Sequence, residues 1–154
     1  FEHRRYTSEI NYESGVQMLS DSGNSIINWP EQHYGNGVYK NDKTSRQFKR
    51  IVRVLKSLSN EMSKHGIKSA EEAPSFLIEC LVWNTLNKNF EGYTYKAKVR
   101  SVLAYLFNET LSDELCRDWG EVSDLKYLFR GSQPWTRRSS HELISDAWNY
   151  VGFD

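Results

Sequence analysis

Residues 44–66 read TSRQFKRIVRVLKSLSNEMSKHG, and this stretch decides the fold class because its apolar and cationic positions recur at helical spacing. Thr44, with Gln47 three residues later, predicts a capping box at the start of the helix, and Gly66 predicts its end. At about 100° per residue one side is apolar, which suits packing into a core. The apolar side consists of Phe48, Ile51, Val52, Val54, Leu55, Leu58 and Met62.

The opposite side of this helix is cationic and carries Arg46, Lys49, Arg50, Arg53 and Lys56, with no acid among them. Lys49, Arg53 and Lys56 follow an i, i+4, i+7 spacing and form one stripe. Like charges at i, i+4 cost about 0.2–0.5 kcal/mol per pair, and a bound polyanion would relieve that repulsion. The alternatives are a solvated cationic face, or ion pairs with acids such as Glu71, Glu72 or Glu79.

The rest of the chain predicts a mainly α (α+β) fold, with a helical bundle following an N-terminal β-hairpin. Two β-prone runs, 16–19 and 25–29, flank a polar turn that contains Gly23. Residues 31–42 predict either a weak helix or an ordered loop. The other predicted helices are 75–87, an almost wholly apolar helix for the middle of the core, then 95–109, short pieces at 111–119 and 122–129, and a last helix from Thr136 or Ser139 to Tyr150.

Composition excludes several classes of protein. The 154 residues fit one domain, and 20 basic residues balance 20 acidic ones, so a nucleic acid is not an expected partner. No apolar run is long enough to span a bilayer, so a membrane is not expected either. Cys80 and Cys116 form no CxxC motif and suit a reducing cytoplasmic location. Because the first residue is Phe1 rather than Met, we expect the chain to begin inside a longer protein.

Two positions on the helix at 75–87 are candidates for a role in a site. Ser75 follows Pro74 at the start of the helix, where free amides and a hydroxyl favour a phosphate; the alternative is a plain N-cap. Glu79 lies among apolar neighbours, and a buried carboxylate needs a cation or hydrogen bonds. For Glu79 we predict a structural salt bridge rather than catalysis.

The polar segment 29–41 contains His33, Tyr34 and Lys40 beside several amides. These side chains suit either the binding of a base in a cleft or the ordering of a loop.

No catalytic constellation is visible in the chain. It contains no Asp-x-Asp, and the dipeptide Gly131-Ser132 is not followed by an acidic pair. GxxxxGK[ST], GxSxG and HExxH are all absent. The four histidines have no metal-ligand spacing. The sequence therefore predicts neither a catalytic residue nor a metal ligand.

Six segments in order nevertheless resemble bacterial cGAS/DncV-like nucleotidyltransferases, and together they extend over essentially the whole chain. They are residues 1–6, 27–34, 36–41, 48–56, 73–84 and 147–153, and Thr44 also matches, between the third and the fourth segment. Each segment alone is a weak signal, whereas the ordered set is fairly specific.

The resemblance implies a two-lobed parent, with a polymerase-β-like palm that carries a Gly-Ser motif and three acidic metal ligands upstream of Phe1. Residues 1–30 are then the last palm strands, and residues 31–154 are the helical C-terminal lobe. A helical Lys and a Ser of this lobe touch the donor triphosphate. Ser75 matches the Ser, Lys49 and Lys56 both suit the Lys, and we expect all three to point into one cleft, with Arg53 between the lysines.

The implied function of the parent is synthesis of cyclic di- or trinucleotide messengers from nucleoside triphosphates in antiphage defence. Its partners here are nucleoside triphosphates and its own N-terminal lobe, which would hold Mg²⁺. This chain alone is expected to be inactive. The alternatives are a related nucleotidyltransferase that acts on RNA or a small molecule, and a non-catalytic module that binds a nucleotide or a protein.

Overall fold

The computed structural model describes all 154 residues as a small sheet followed by a helical lobe. The sheet is antiparallel, in the order β1 (Glu2–Tyr6), β2 (Tyr12–Leu19), β3 (Ser25–Asn28). The helices are α1 (Pro30–Lys43), α2 (Gln47–Lys64), α3 (Lys68–Glu71), α4 (Ser75–Trp83), α5 (Tyr95–Glu109), α6 (Asp113–Cys116) and α7 (Arg137–Val151), with a 3₁₀ turn at Asn87–Phe90.

The sheet confirms the predicted hairpin, because β2 pairs with β3 from Val16–Asn28 to Leu19–Ser25. The turn between them contains Gly23 at φ +80°. Gly15 of β2 lies directly against the ring of Trp29. A Cβ at Gly15 would come within 2.7 Å of Trp29 Cε3 and 2.8 Å of the Asn28 carbonyl oxygen, so only glycine permits this approach.

The junction of α1 and α2 decides one prediction and corrects another. Of the two alternatives for residues 31–42 the helix is confirmed, whereas the predicted capping box at Thr44 is wrong. Thr44 Oγ1 donates to the Lys40 carbonyl (2.9 Å) and accepts from the Phe48 amide (3.0 Å), so it joins the end of one helix to the start of the next. Ser45 and Arg46, at φ 51° and 64°, turn the chain between the two helices.

The core forms around α4, as its apolar character predicted. Leu77, Cys80 and Val82 are buried there, and α2, α5 and α7 supply the surrounding side chains. The buried face of α2 differs from the predicted apolar side at two positions. Val54 was placed on it but is 38% exposed, and the polar Ser59 was not placed on it but is buried. No helix is long and apolar enough to cross a membrane.

Among the later segments, the helix at 95–109 is confirmed, and α7 begins with a capping box of Thr136 and Ser139. The helix predicted at 75–87 ends earlier, at Trp83. Residues 122–129 are not helical. The chain instead makes a tight turn, in which the Glu121 amide donates to the Lys126 carbonyl (2.9 Å) and Asp124 has φ 60°.

Candidate functional site

An open cavity of about 960 Å³ lies between the sheet and the helical lobe; we call it the sheet–lobe cavity. The β2–β3 turn and the start of α1 form one side. The first turn of α4 and the segments around residues 121–126 and 132–135 form the other. Most of the residues that line it are polar, although apolar atoms supply much of its surface, and a cavity of this size suits a ligand as large as a nucleotide.

Aromatic rings form one wall of the sheet–lobe cavity. His33 stacks on Phe76, with ring centroids 5.5 Å apart and planes inclined by 27°. Phe76 in turn lies 5.9 Å from Trp135, whose indole N–H donates to the Leu128 carbonyl (2.8 Å). Flat ring faces held in this way can stack on a nucleobase.

Behind this wall, Glu79 joins α4 to α1 and α2. The Nε2–H of His33 donates to Glu79 Oε1 (3.1 Å), and Lys56 Nζ donates to Oε2 (2.7 Å). The hydrogen bond from His33, followed by that from Lys56, outweighs burial and lowers the pKa of the Glu79 carboxyl to about 2. The predicted structural salt bridge of Glu79 is confirmed, and Lys56 has the ion pair that was one alternative for the cationic face.

The cationic stripe of α2 lies next to this cluster. Lys56 keeps 27% of its side chain exposed, and an ammonium has three N–H donors, of which Glu79 takes one. Lys49 Nζ lies 5.4 Å from the centroid of the Tyr34 ring. Arg53 is exposed and makes no side-chain hydrogen bond.

Ser75 is the first residue of α4 and is exposed. The N-cap is Pro74, with no side-chain cap hydrogen bond, so the plain N-cap alternative for Ser75 is wrong. Because Ser75 precedes Glu79 by four residues, its hydroxyl lies on the same face of α4 as the carboxylate that holds Lys56. A shared role for Ser75, Lys49 and Lys56 on one triphosphate stays a prediction.

Of the side chains predicted for a base site, only His33 lines the sheet–lobe cavity. Tyr34 is exposed beside Lys49. Lys40 lies elsewhere: its Nζ donates to the Thr85 carbonyl (2.7 Å) and approaches the ring of Trp83 (5.2 Å). Burial lowers the pKa of Lys40 to about 8.

Sequence reasoning missed a second polar group in the cavity. Glu121 is only 4% exposed and Ser123 only 5%, yet both line the cavity together with Lys126 and Gln133. Glu121 Oε1 accepts a hydrogen bond from Gln133 Nε2 (2.9 Å) and lies 3.6 Å from Lys126 Nζ. No motif joins these positions, because a non-helical turn brings them together. No cluster of three or more His, Cys, Asp and Glu side chains suits a metal ion.

Comparison with known proteins places this geometry in a family. The family model described as the cGAS/DncV-like nucleotidyltransferase C-terminal helical domain matches residues 35–152. The chain belongs to this family.

Two relatives and one solved structure extend the match. A cyclic dipyrimidine nucleotide synthase, CdnE, of Cecembia lonarensis is 38% identical over 154 residues, 99% of this chain and 52% of the relative. A cyclic dipurine nucleotide synthase of Elizabethkingia meningoseptica is 34% identical over 139 residues, 90% of this chain and 47% of the relative. The structure of Elizabethkingia meningoseptica CdnE cyclic dinucleotide synthase with GTP and Apcpp superposes with a TM-score of 0.88 at 33% identity, covering 99% of this chain and 56% of that one. The chain thus spans about half the length of these relatives.

Proposed function

We propose, from this family membership, that the chain is the nucleotide-binding half of an enzyme that joins nucleoside triphosphates into cyclic di- or trinucleotide messengers in antiphage defence. The observation that carries the proposal is the sheet–lobe cavity, of about 960 Å³, which combines an aromatic wall with polar residues around it. Relatives that match over nearly the whole chain are named as cyclic nucleotide synthases, and one related structure holds GTP and Apcpp.

In this proposal the base enters the sheet–lobe cavity, where the rings of His33, Phe76 and Trp135 offer faces for stacking. The triphosphate lies over α2 and the start of α4. Lys56 presents its remaining N–H groups to the phosphate oxygens while Glu79 fixes the position of its ammonium.

Three further groups extend this phosphate surface. Lys49 and Arg53 continue the positive charge along α2, and the Ser75 hydroxyl adds a donor at the N-terminus of α4. A bound triphosphate would relieve the repulsion between these cations, which is the physical reason for its affinity. Binding should therefore weaken as salt rises, because exposed charges are screened.

The Mg²⁺ ions of this reaction would belong to the upstream lobe. The present chain has no carboxylate cluster that fits them. In this proposal its residues bind and orient the nucleotide. A cytoplasmic location follows from the nucleoside triphosphate substrates and belongs to the same proposal.

The first test measures nucleotide binding to the 154-residue chain. The chain is titrated with ATP and with GTP, and binding is monitored by NMR through the indole N–H signals of the tryptophans. We expect shifts of the Trp135 signal in both titrations. Lys56→Gln should weaken binding at least about tenfold, since a hydrogen bond to a charged group contributes about 1.5–3 kcal/mol and each 1.4 kcal/mol is a factor of about ten. Lys64→Gln, an exposed position farther along the same helix, is the matched control and should leave binding unchanged.

The second test is turnover. The purified chain with labelled ATP, GTP and Mg²⁺ should form no product, whereas a protein that also carries the upstream lobe should form a cyclic oligonucleotide. If no indole signal of the folded chain shifts, the nucleotide-binding role is contradicted. Binding without turnover by the longer protein would favour a non-catalytic module.

A further inference from the structure

Glu121 stands out among the residues of the sheet–lobe cavity because it is a charged side chain buried almost completely at the edge of an open space. It is 4% exposed and lines the cavity. It belongs to the tight turn after α6, which three contacts hold against the lobe and the sheet. Asn84 bonds both the amide and the carbonyl of Gly120, Asn36 Nδ2 donates to the Val122 carbonyl (2.8 Å), and Lys126 Nζ donates to the Ile27 carbonyl (3.4 Å).

The two oxygens of this carboxylate are not equivalent. Oε1 accepts from Gln133 Nε2 at 2.9 Å and is the oxygen nearest to Lys126 Nζ, at 3.6 Å. Oε2 has no hydrogen-bond partner in the chain, and it is not sealed away from the cavity. Because this oxygen is open to the cavity and the chain supplies it no donor, a ligand that displaces water from it must supply a donor in place of that water.

The surroundings of Glu121 decide the kind of ligand. The free oxygen of Glu121 is an acceptor, and so are phosphate oxygens, so this atom suits a donor on the ligand rather than a phosphate. Ser123, two residues along the turn and also buried, lines the same cavity, and the ring faces of Phe76 and Trp135 lie on the cavity wall. A ligand at this point needs a donor for Oε2 and a flat face for the aromatic wall. A ring with an N–H group on its edge has both, and an ionised carboxylate, which can only accept, binds such a donor.

We infer that Glu121 Oε2 accepts a hydrogen bond from the exocyclic amino group of a nucleobase in the sheet–lobe cavity, and so favours amino-bearing bases over their oxo counterparts. Lys126 Nζ lies beside it as a donor for a ring nitrogen or oxygen on the same edge. This inference rests on the proposed function, since it assumes a nucleotide in the cavity. It adds the residue that discriminates between bases.

The test compares matched pairs of nucleotides, CTP with UTP and ATP with ITP, in which an amino group is replaced by an oxygen. Binding to the 154-residue chain is followed through the Trp135 indole signal. We expect the amino-bearing member of each pair to bind at least about tenfold more tightly, the lower end for one hydrogen bond to a charged group. In Glu121→Gln the preference should fall towards one, because an amide both donates and accepts.

Two further variants keep this result interpretable. Glu114→Gln removes an exposed carboxylate on α6 and should keep the wild-type preference. Glu121→Asp keeps the charge but withdraws it by one methylene, so it should also reduce the preference. Circular dichroism and a thermal melt establish that each variant is folded.

The outcomes separate the two proposals. Equal binding within each pair, or a preference that persists in Glu121→Gln, would overturn the role of Glu121. Neither result would contradict the proposed nucleotide-binding function. Failure of all four nucleotides to shift any indole signal of the folded chain would overturn both.

Discussion

Two carboxylates near the sheet–lobe cavity, Glu79 and Glu121, show opposite solutions to the same problem. Both oxygens of Glu79 have partners, His33 on one and Lys56 on the other, and the side chain is 23% exposed. Glu121 is more deeply buried, yet one of its oxygens has no partner. The difference teaches that burial alone does not identify a binding group; what matters is which lone pairs the protein leaves unused.

Replacing each acid by its amide should separate the two roles most strongly. Glu79→Gln removes the charge that holds Lys56 and His33, and we expect a loss of about 2–3 kcal/mol in the free energy of unfolding. Glu121→Gln keeps an oxygen for Gln133 and should cost less than about 1 kcal/mol. Urea denaturation of both variants measures the difference. Equal losses would remove the distinction between the two carboxylates.

Acid should affect the Glu79 cluster in a defined window. The pKa of Glu79 is lowered to about 2 in the folded chain, from an ordinary value of 4.5, so its stabilisation is fully present above about pH 5 and is lost as the pH falls through 2. More than half should be lost by pH 3, or about 2 kcal/mol at about 1.4 kcal/mol per pKa unit. The stability gap between wild type and Glu79→Gln, followed from pH 6 to pH 3, should narrow accordingly. A constant gap would mean that the charge of Glu79 is not what stabilises the cluster.

An exposed ion pair provides the lower reference for this comparison. Lys68 and Glu72 on the surface are 83% and 61% exposed and 3.6 Å apart. Lys68→Gln should change the free energy of unfolding by less than about 0.5 kcal/mol, because solvent already screens the pair. The same denaturation experiment measures it, and a loss as large as that of Glu79→Gln would contradict the role assigned to burial.

The helical part of the fold was predictable from local signals. The apolar run of α4, the Tyr95–Glu109 helix and the Thr136 cap of α7 are all set by residues within a turn or two of each other. Thr44 was assigned to a capping box, but its hydroxyl donates to the Lys40 carbonyl and accepts from the Phe48 amide. A sequence pattern does not show which backbone groups a threonine hydroxyl will bond.

The candidate site was predictable only where its residues lie on helices. The stripe of α2 and the need of Glu79 for a cation both follow from helical spacing. Glu121 and Gln133 lie twelve residues apart on a segment without periodicity, and residues 122–129 were predicted as a helix. Their meeting depends on a turn at Asp124 and on contacts with β3, which are tertiary in origin.

The contact of Gly15 with Trp29 has a mechanical consequence. Trp29 is part of the cavity lining, and the backbone of β2 rests on its ring without an intervening side chain. The sheet and the start of the lobe are therefore already in direct contact at this point. Because the backbone and the ring are already in contact, the two sides of the cavity cannot come closer together here.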